Sequence, residues 1–380
     1  MTENDPINAN ALLTIDLDAL AENYTYIRHA AQPAQCGAAV KADAYGLGLR
    51  PVARTLAAAG CRVFFVATLQ EGADLREILP AKTQGGKNQA EYKIYVFEGP
   101  QENSVDLYGQ LTLIPVLNSL EQIRSWTDAA YPTGNMPEAA LHIDSGMARL
   151  GLSADDVRTL SRDQSLLARL NIGLIMTHLS SADNPDDRAS LEQVKKFDSL
   201  RKLLPAAPTS IGNSAGSLLG EAYRGDLVRP GIALYGGAPF PGRANPMKEV
   251  VHLQAKILQC RQVGKDTPVG YSQSYRTTAE NSQIITVGIG YGDGYPRSLS
   301  NKGLGLIGQD VVPVAGIISM DLTTFDVSHL PAGKIQPGDR VTLIGKGIGL
   351  TDVARNAGTI SYDILTGLKG RIQKIYKGIE

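Results

Sequence analysis

The sequence predicts an α/β fold: an eight-stranded (β/α)8 barrel followed by a mainly β C-terminal domain. Three observations predict it. Between residues 36 and 237, eight short apolar runs alternate with stretches of helical periodicity. Glycine-rich turns follow several of those runs, where a barrel keeps its functional loops. After Pro239 the texture changes to short β-branched runs separated by Gly, Pro, Asp and Asn. An open doubly wound sheet is the other arrangement such alternation allows, and the strand count favours closure.

The first element is a helix over 17–31, with Asp16 placed to cap it. Barrel strands are expected at 38–42, 63–68, 92–97, 112–117, 139–143, 172–178, 210–212 and 231–235. Helices are expected at 51–59, 72–79, 120–126, 154–160 and 191–204, where apolar residues recur at helical spacing. Residues 83–91, with Gly85, Gly86 and Asn88, read as an inserted loop. The barrel domain is set at 12–240 and the β domain at 241–380, with a linker over 240–246 rich in Pro and Gly. Beyond it, strands are expected at 250–261, 284–289, 304–307, 311–318, 323–327 and 340–344, with a helix at 350–357.

Composition narrows the function. A formal net charge of -1 gives no electrostatic reason to expect nucleic acid. No apolar run is long enough to span a bilayer, and residues 1–10 lack the basic and apolar segments of a secretory signal. Cys36, Cys61 and Cys260 are scattered and form no metal pair, which fits a reducing cytoplasm and no metal centre.

On this barrel the chemistry-bearing residues gather at strand ends. Lys41 follows the first strand. A lysine there can be desolvated, lose its proton and attack a carbonyl, or simply extend into water. Asp144, Met147 and Arg149 follow the fifth strand, His178 ends the sixth, and Asn213-Ser214-Ala215-Gly216 follows the seventh. Arg229 enters the eighth, ahead of Pro230-Gly231-Ile232. Loops after the last two strands commonly hold phosphate in this fold. Ser214 offers a hydroxyl there, and Gly231 allows close backbone approach. A phosphate site facing a strand-end lysine suggests pyridoxal 5'-phosphate (PLP), whose aldehyde forms a Schiff base with lysine.

Ordered motifs add a family. Val40-Lys41-Ala42-Asp43-Ala44-Tyr45-Gly46-Leu47-Gly48 resembles the PLP-lysine motif of alanine racemases. So do His142-Ile143-Asp144-Ser145-Gly146-Met147-Ala148-Arg149, Met176-Thr177-His178-Leu179 and Val228-Arg229-Pro230-Gly231-Ile232. Gly270-Tyr271, Gly290-Tyr291-Gly292-Asp293, Ser319-Met320-Asp321 and Ser361-Tyr362 continue the resemblance into the second domain.

The resemblance implies a racemase that interconverts L- and D-alanine with two bases and supplies D-alanine for peptidoglycan. It makes Lys41 both the PLP lysine and one base, and Tyr271 the other. A free phenol titrates at about 10, so a tyrosine base needs cationic or hydrogen-bonding surroundings. His178 matches the histidine that bonds this tyrosine, and Arg229 the arginine facing the PLP ring nitrogen. Tyr45, Ser214, the backbone of Gly231 and Ile232, and Tyr362 match the phosphate site. Arg149 and the backbone near Met320 match the carboxylate site, with Tyr291 and Asp321 at the pocket entrance. In this family the two bases come from different subunits, which implies a head-to-tail homodimer with shared active sites. One position departs: many members carry a lysine, often carbamylated, where this chain has His142. Histidine cannot supply that anion, so no dependence on bicarbonate is expected. The competing readings are a racemase of serine or of a broader range, a PLP-dependent decarboxylase of the same plan, and a non-catalytic PLP barrel. Proteins of the last kind end after the barrel.

Overall fold

The computed structural model describes residues 9–81, 92–101, 104–129, 136–331 and 333–378. The loop expected at 83–91 lies outside them.

These segments can run as parallel strands because their apolar residues are buried on both faces. Val63–Val66 is buried throughout, as is Ile114–Leu117. Seven strands run parallel in sequence order: Ala38–Ala39, Val63–Val66, Lys93–Val96, Ile114–Leu117, Glu138–His142, Asn171–Met176 and Thr209–Ser210. The eighth, Leu227–Val228, pairs with Gln35–Cys36, just ahead of the first. Gly37 N–H donates to Val228 O at 2.9 Å, and Arg229 N–H to Gly212 O at 2.8 Å, which carries the ring past its last strand. The barrel is therefore built as the alternation predicts.

Two strand expectations are corrected. The run 231–235 is not the eighth strand. Its residues fold into successive tight turns, with Leu234 N–H donating to Gly231 O at 2.8 Å and Tyr235 N–H to Ile232 O at 3.1 Å. Pro230 has no N–H to continue a ladder, and apolar burial alone cannot tell a strand from a packed turn. Arg229 thus follows the eighth strand rather than entering it. The first strand ends at Ala39, and Lys41–Tyr45 forms a turn of its own.

Local signals set the helix starts. Asp16 Oδ1 accepts the Ala19 N–H at 2.8 Å and caps Leu17–Ala30. Thr68 and Glu71 form a reciprocal capping box on Leu69–Ile78, and Ser119 caps Leu120–Asp128. The short helix Val105–Gln110 was not expected from periodicity.

In the second sheet the order runs Asp310–Pro313, Leu304–Ile307, Arg340–Ile344, Val251–Val263, Ala11–Asp16 and Gln373–Lys377. Ser282–Val287 also pairs with Val251–Val263, past a break in register between Ile257 and Gln259, and Thr323–Asp326 pairs with it in turn. The strand Ala11–Asp16 precedes the barrel in sequence yet sits inside this sheet, antiparallel to Val251–Val263 and parallel to Gln373–Lys377. No helix among the described residues is long and apolar enough to cross a membrane.

Candidate active site

The loops at the strand C-terminal ends enclose a cavity of about 620 Å³. Lys41, Tyr45, Arg149, His178, Ser214, Arg229, Gly231, Ile232 and Tyr362 all line it. The helix Ser361–Gly367, with Tyr362 near its start, supplies part of the wall from the second domain.

Lys41 starts an unusual turn. Ala42, Asp43, Ala44 and Tyr45 all have φ between 53° and 59°, in the left-handed region. Each such non-glycine residue costs about 1–2 kcal/mol in a run of this hand. Hydrogen bonds offset this: Ala44 N–H to Val40 O at 2.9 Å, Gly46 N–H to Ala42 O at 2.7 Å and Leu49 N–H to Asp43 Oδ1 at 2.7 Å. Packing adds to them, with the Tyr45 ring 4.6 Å from that of Tyr235 and 5.9 Å from that of Tyr362. Lys41 Nζ lies 5.8 Å over the Phe97 ring. Burial lowers its proton affinity below that of an ordinary lysine, the charge of Arg149 lowers it further, and Glu71 opposes both.

Across the cavity three hydroxyls converge. Ser214 Oγ accepts the N–H groups of Gly231 at 2.9 Å and Ala233 at 3.2 Å, which leaves its own proton to donate. That proton has no acceptor among the described residues, nor do the hydroxyls of Tyr45 and Tyr362. Burial raises the proton affinity of Tyr45, and burial with the charge of Asp183 pushes Tyr362 up to about 12, so both stay donors at neutral pH. The Gly231 N–H is spent on Ser214, whereas that of Ile232 has no acceptor among the described residues. A Cβ at Gly231 would fall 2.1 Å from the Tyr45 hydroxyl, so only glycine fits. Donors without partners, around a space no side chain fills, suit the phosphate of PLP.

Arg229 is 3% exposed. Its guanidinium donates to Ser210 Oγ at 2.5 Å and to Thr177 O at 2.6 Å, and lies 5.9 Å over the Phe65 ring. No carboxylate among the described residues pairs with it. Burial lowers its proton affinity, yet only to about 9, so it remains a cation. His178 Nδ1 sits 3.5 Å from Arg229 Nη2. Burial, then the charges of Arg229 and Arg149, hold His178 well below the usual histidine range, so it is neutral.

The loop leading to Arg149 is ordered by Asp144, whose Oδ1 accepts the N–H groups of Gly146 at 2.9 Å, Met147 at 2.8 Å and Ala148 at 3.2 Å. Arg149 follows this loop, exposed at the rim, with no partner among the described residues. Behind it, His142 Nδ1 lies 2.8 Å from Asn118 Oδ1. The Asn118 amide nitrogen donates to Phe97 O at 2.9 Å and Val116 O at 2.8 Å, which turns its oxygen toward the ring and assigns the His142 proton to Nδ1. Sequence reasoning missed Asn118 and Ser210, since both act only through a neighbour.

Tyr271, Tyr291, Met320 and Asp321 do not line this cavity. Tyr271 stands between the strands Pro268–Val269 and Tyr275–Arg276 and is 67% exposed. Met320 is 54% exposed. The loops of Tyr291 and Met320 are joined by Tyr291 N–H to Ser319 O at 3.0 Å and Gly292 N–H to Met320 O at 2.8 Å. Asp321 pairs with Arg371 at 2.7 Å.

A desolvated lysine, a cradle of open donors and a buried cation without a counter-ion define a class: barrel enzymes that work with pyridoxal phosphate. The family description "Alanine racemase, N-terminal domain" matches residues 15–239, and "Alanine racemase, C-terminal domain" matches residues 250–376. An alanine racemase of Rhodospirillum rubrum is 44% identical over 372 residues, covering 98% of this chain and 97% of that protein. A relative in Agrobacterium fabrum, named a catabolic alanine racemase, is 43% identical over 97% of this chain and 92% of its own. The crystal structure of alanine racemase from Bartonella henselae with covalently bound pyridoxal phosphate is similar at a TM-score of 0.90 and 36% identity, covering 97% of this chain and 100% of that one. The chain belongs to the alanine racemase family, and it is a PLP-dependent racemase.

Proposed function

We propose that the chain interconverts L- and D-alanine with two bases on opposite faces of the substrate Cα, Lys41 from one subunit and Tyr271 from its partner in a head-to-tail homodimer. The observation that carries this reading is one cavity lined by Lys41, Arg229 and the open hydroxyls of Ser214, Tyr45 and Tyr362. When bound, pyridoxal phosphate supplies a ring that accepts the electron pair left as the Cα proton departs.

Lys41 Nζ takes or returns that proton on one face, helped by the burial that favours its free amine. Tyr271 serves the other face. Its exposure in the single chain supports a position against a second subunit, and His178 is the hydrogen-bond partner assigned to it. Arg229, held from behind by Ser210 and Thr177, would meet the ring nitrogen of bound pyridoxal phosphate and, as a cation, keep it unprotonated. A neutral ring is a weaker electron sink, which limits side reactions. Tyr45, Ser214, Tyr362 and the Ile232 N–H hold the phosphate, while Gly231, whose N–H is given to Ser214, leaves room for it to approach. Arg149 and the backbone near Met320 take the substrate carboxylate, while Tyr291 and Asp321 narrow the approach and favour a methyl side chain.

All three cysteines are free, which supports a cytoplasmic enzyme. We assign it to the supply of D-alanine for peptidoglycan. Loss of the gene then makes growth depend on added D-alanine, whereas a catabolic role leaves growth independent of it. The reaction is tested by deuterium exchange at Cα of L-alanine together with decay of circular dichroism, with L-serine run in parallel. Release of carbon dioxide with no D-alanine formed overturns the assignment.

A further inference from the structure

Glu71 stands on the helix Leu69–Ile78, beside the barrel's second strand, and takes no part in the chemistry assigned above. Its carboxylate nevertheless reaches the peptide that follows Lys41. Oε1 accepts the Ala42 N–H at 2.6 Å, while Oε2 accepts the Ala67 N–H at 2.7 Å and the Thr68 N–H at 3.4 Å. One side chain therefore joins the end of the second strand to the left-handed turn. On the other side of Lys41, Val40 N–H donates to Phe65 O at 2.9 Å. The lysine is held between these two anchors, both referred to the second strand.

We propose that Glu71 is a positioning residue for Lys41, fixing the peptide between Lys41 and Ala42 and so aiming the amine into the cavity. The proposal rests on the reading of Lys41 as the PLP lysine. The physical ground is the hand of the turn. Ala42, Asp43, Ala44 and Tyr45 occupy a region that non-glycine residues leave unless neighbours hold them. Ala42 is the first of the four, and its N–H is bound by Glu71. A carboxylate is suited to the place because both oxygens accept. Glutamine offers one acceptor and one donor, and its amide would oppose either the Ala42 or the Ala67 N–H.

The test uses the holoenzyme and three variants. Glu71→Gln is expected to lower kcat about tenfold or more with KM changed less than about threefold, as misplacement of a reacting group does. It is also expected to speed the removal of bound PLP by hydroxylamine about tenfold, a readout of how well the lysine holds the cofactor. Thr68→Ala removes the other half of the capping box without touching Ala42, and should leave both rates near wild type. Wild-type rates in Glu71→Gln overturn the proposal, as do equal losses in Thr68→Ala, which would make Glu71 a helix cap alone. If Glu71→Gln does not fold, Glu71→Asp decides. It keeps the charge but is one methylene too short to span both peptides, so faster PLP removal supports the proposal and a wild-type rate overturns it. Borohydride reduction and peptide mass mapping of the wild type locate the cofactor. A label away from Lys41 sinks the lysine assignment itself, and Glu71 with it, whatever the variants do.

Discussion

His142 is 8% exposed, and burial followed by the charges of Arg229 and Arg149 lowers its pKa to about 4. With Nδ1–H given to Asn118, it is a neutral ring, with no amine to form a carbamate and no negative charge to offer Arg149. Added bicarbonate should therefore leave kcat/KM unchanged, and a reproducible activation would contradict the neutral-ring reading. The same burial makes stability depend on pH. Unfolded histidine titrates near 6.5. Between that value and about 4 the unfolded chain binds a proton that folded His142 refuses, so stability is full above pH 6.5 and falls as pH drops toward 4. The loss from His142 alone amounts to about 3 kcal/mol, and His178 acts in the same direction. Calorimetry at pH 7, 5.5 and 4.5 should show Tm falling in that order. At this scale the sequence marked Lys41, Arg149, His178, Ser214 and Arg229, all of which line the cavity, because strand ends and motifs point to them. Ser210, Asn118 and Glu71 carried no comparable mark; the capping-box spacing of Thr68-Leu69-Gln70-Glu71 is a signal that could have moved the expected helix start from 72 back to 69.

The turn after Lys41 is where local preference and final structure diverge most. Ala42, Asp43 and Ala44 are ordinary residues in a hand they avoid, so periodicity and propensity could not reveal it. Only Gly46 hinted at it. Its φ is 83°, and a Cβ there would fall 2.7 Å from Leu365 O, on the helix that carries Tyr362. Gly46→Ala should therefore destabilise the fold by about 1–3 kcal/mol, read from urea unfolding. A change under a few tenths of a kcal/mol would show that the turn and helix can part without loss. The helices were legible wherever an apolar stripe met a polar cap, as at Asp16 and Ser119. The eighth strand was not, because Ile232, Ala233, Leu234 and Tyr235 are as buried as strand residues while folding as turns.

For the whole molecule, the proposed pairing of subunits has a direct test. A mixed dimer of Lys41→Ala and Tyr271→Ala chains contains one site with both bases and one with neither. Mixing two nearly inactive proteins should restore a measurable share of activity, and failure to restore any rules out sites shared between subunits. The division into a barrel and a β domain was legible from the change in texture after Pro239. What the pattern did not reveal is that residues 11–16 belong with the second sheet, since a strand's neighbours are set by contacts far away in sequence. That placement governs the order of assembly during synthesis. The strand Ala11–Asp16 leaves the ribosome before the barrel does, yet its neighbours are Val251–Val263 and Gln373–Lys377. Its edges stay without their native partners until the barrel has been made, and one of them until residues 373–377 have followed. The barrel can gather strand by strand as it appears, but the second sheet must wait for residues on either side of the barrel to meet.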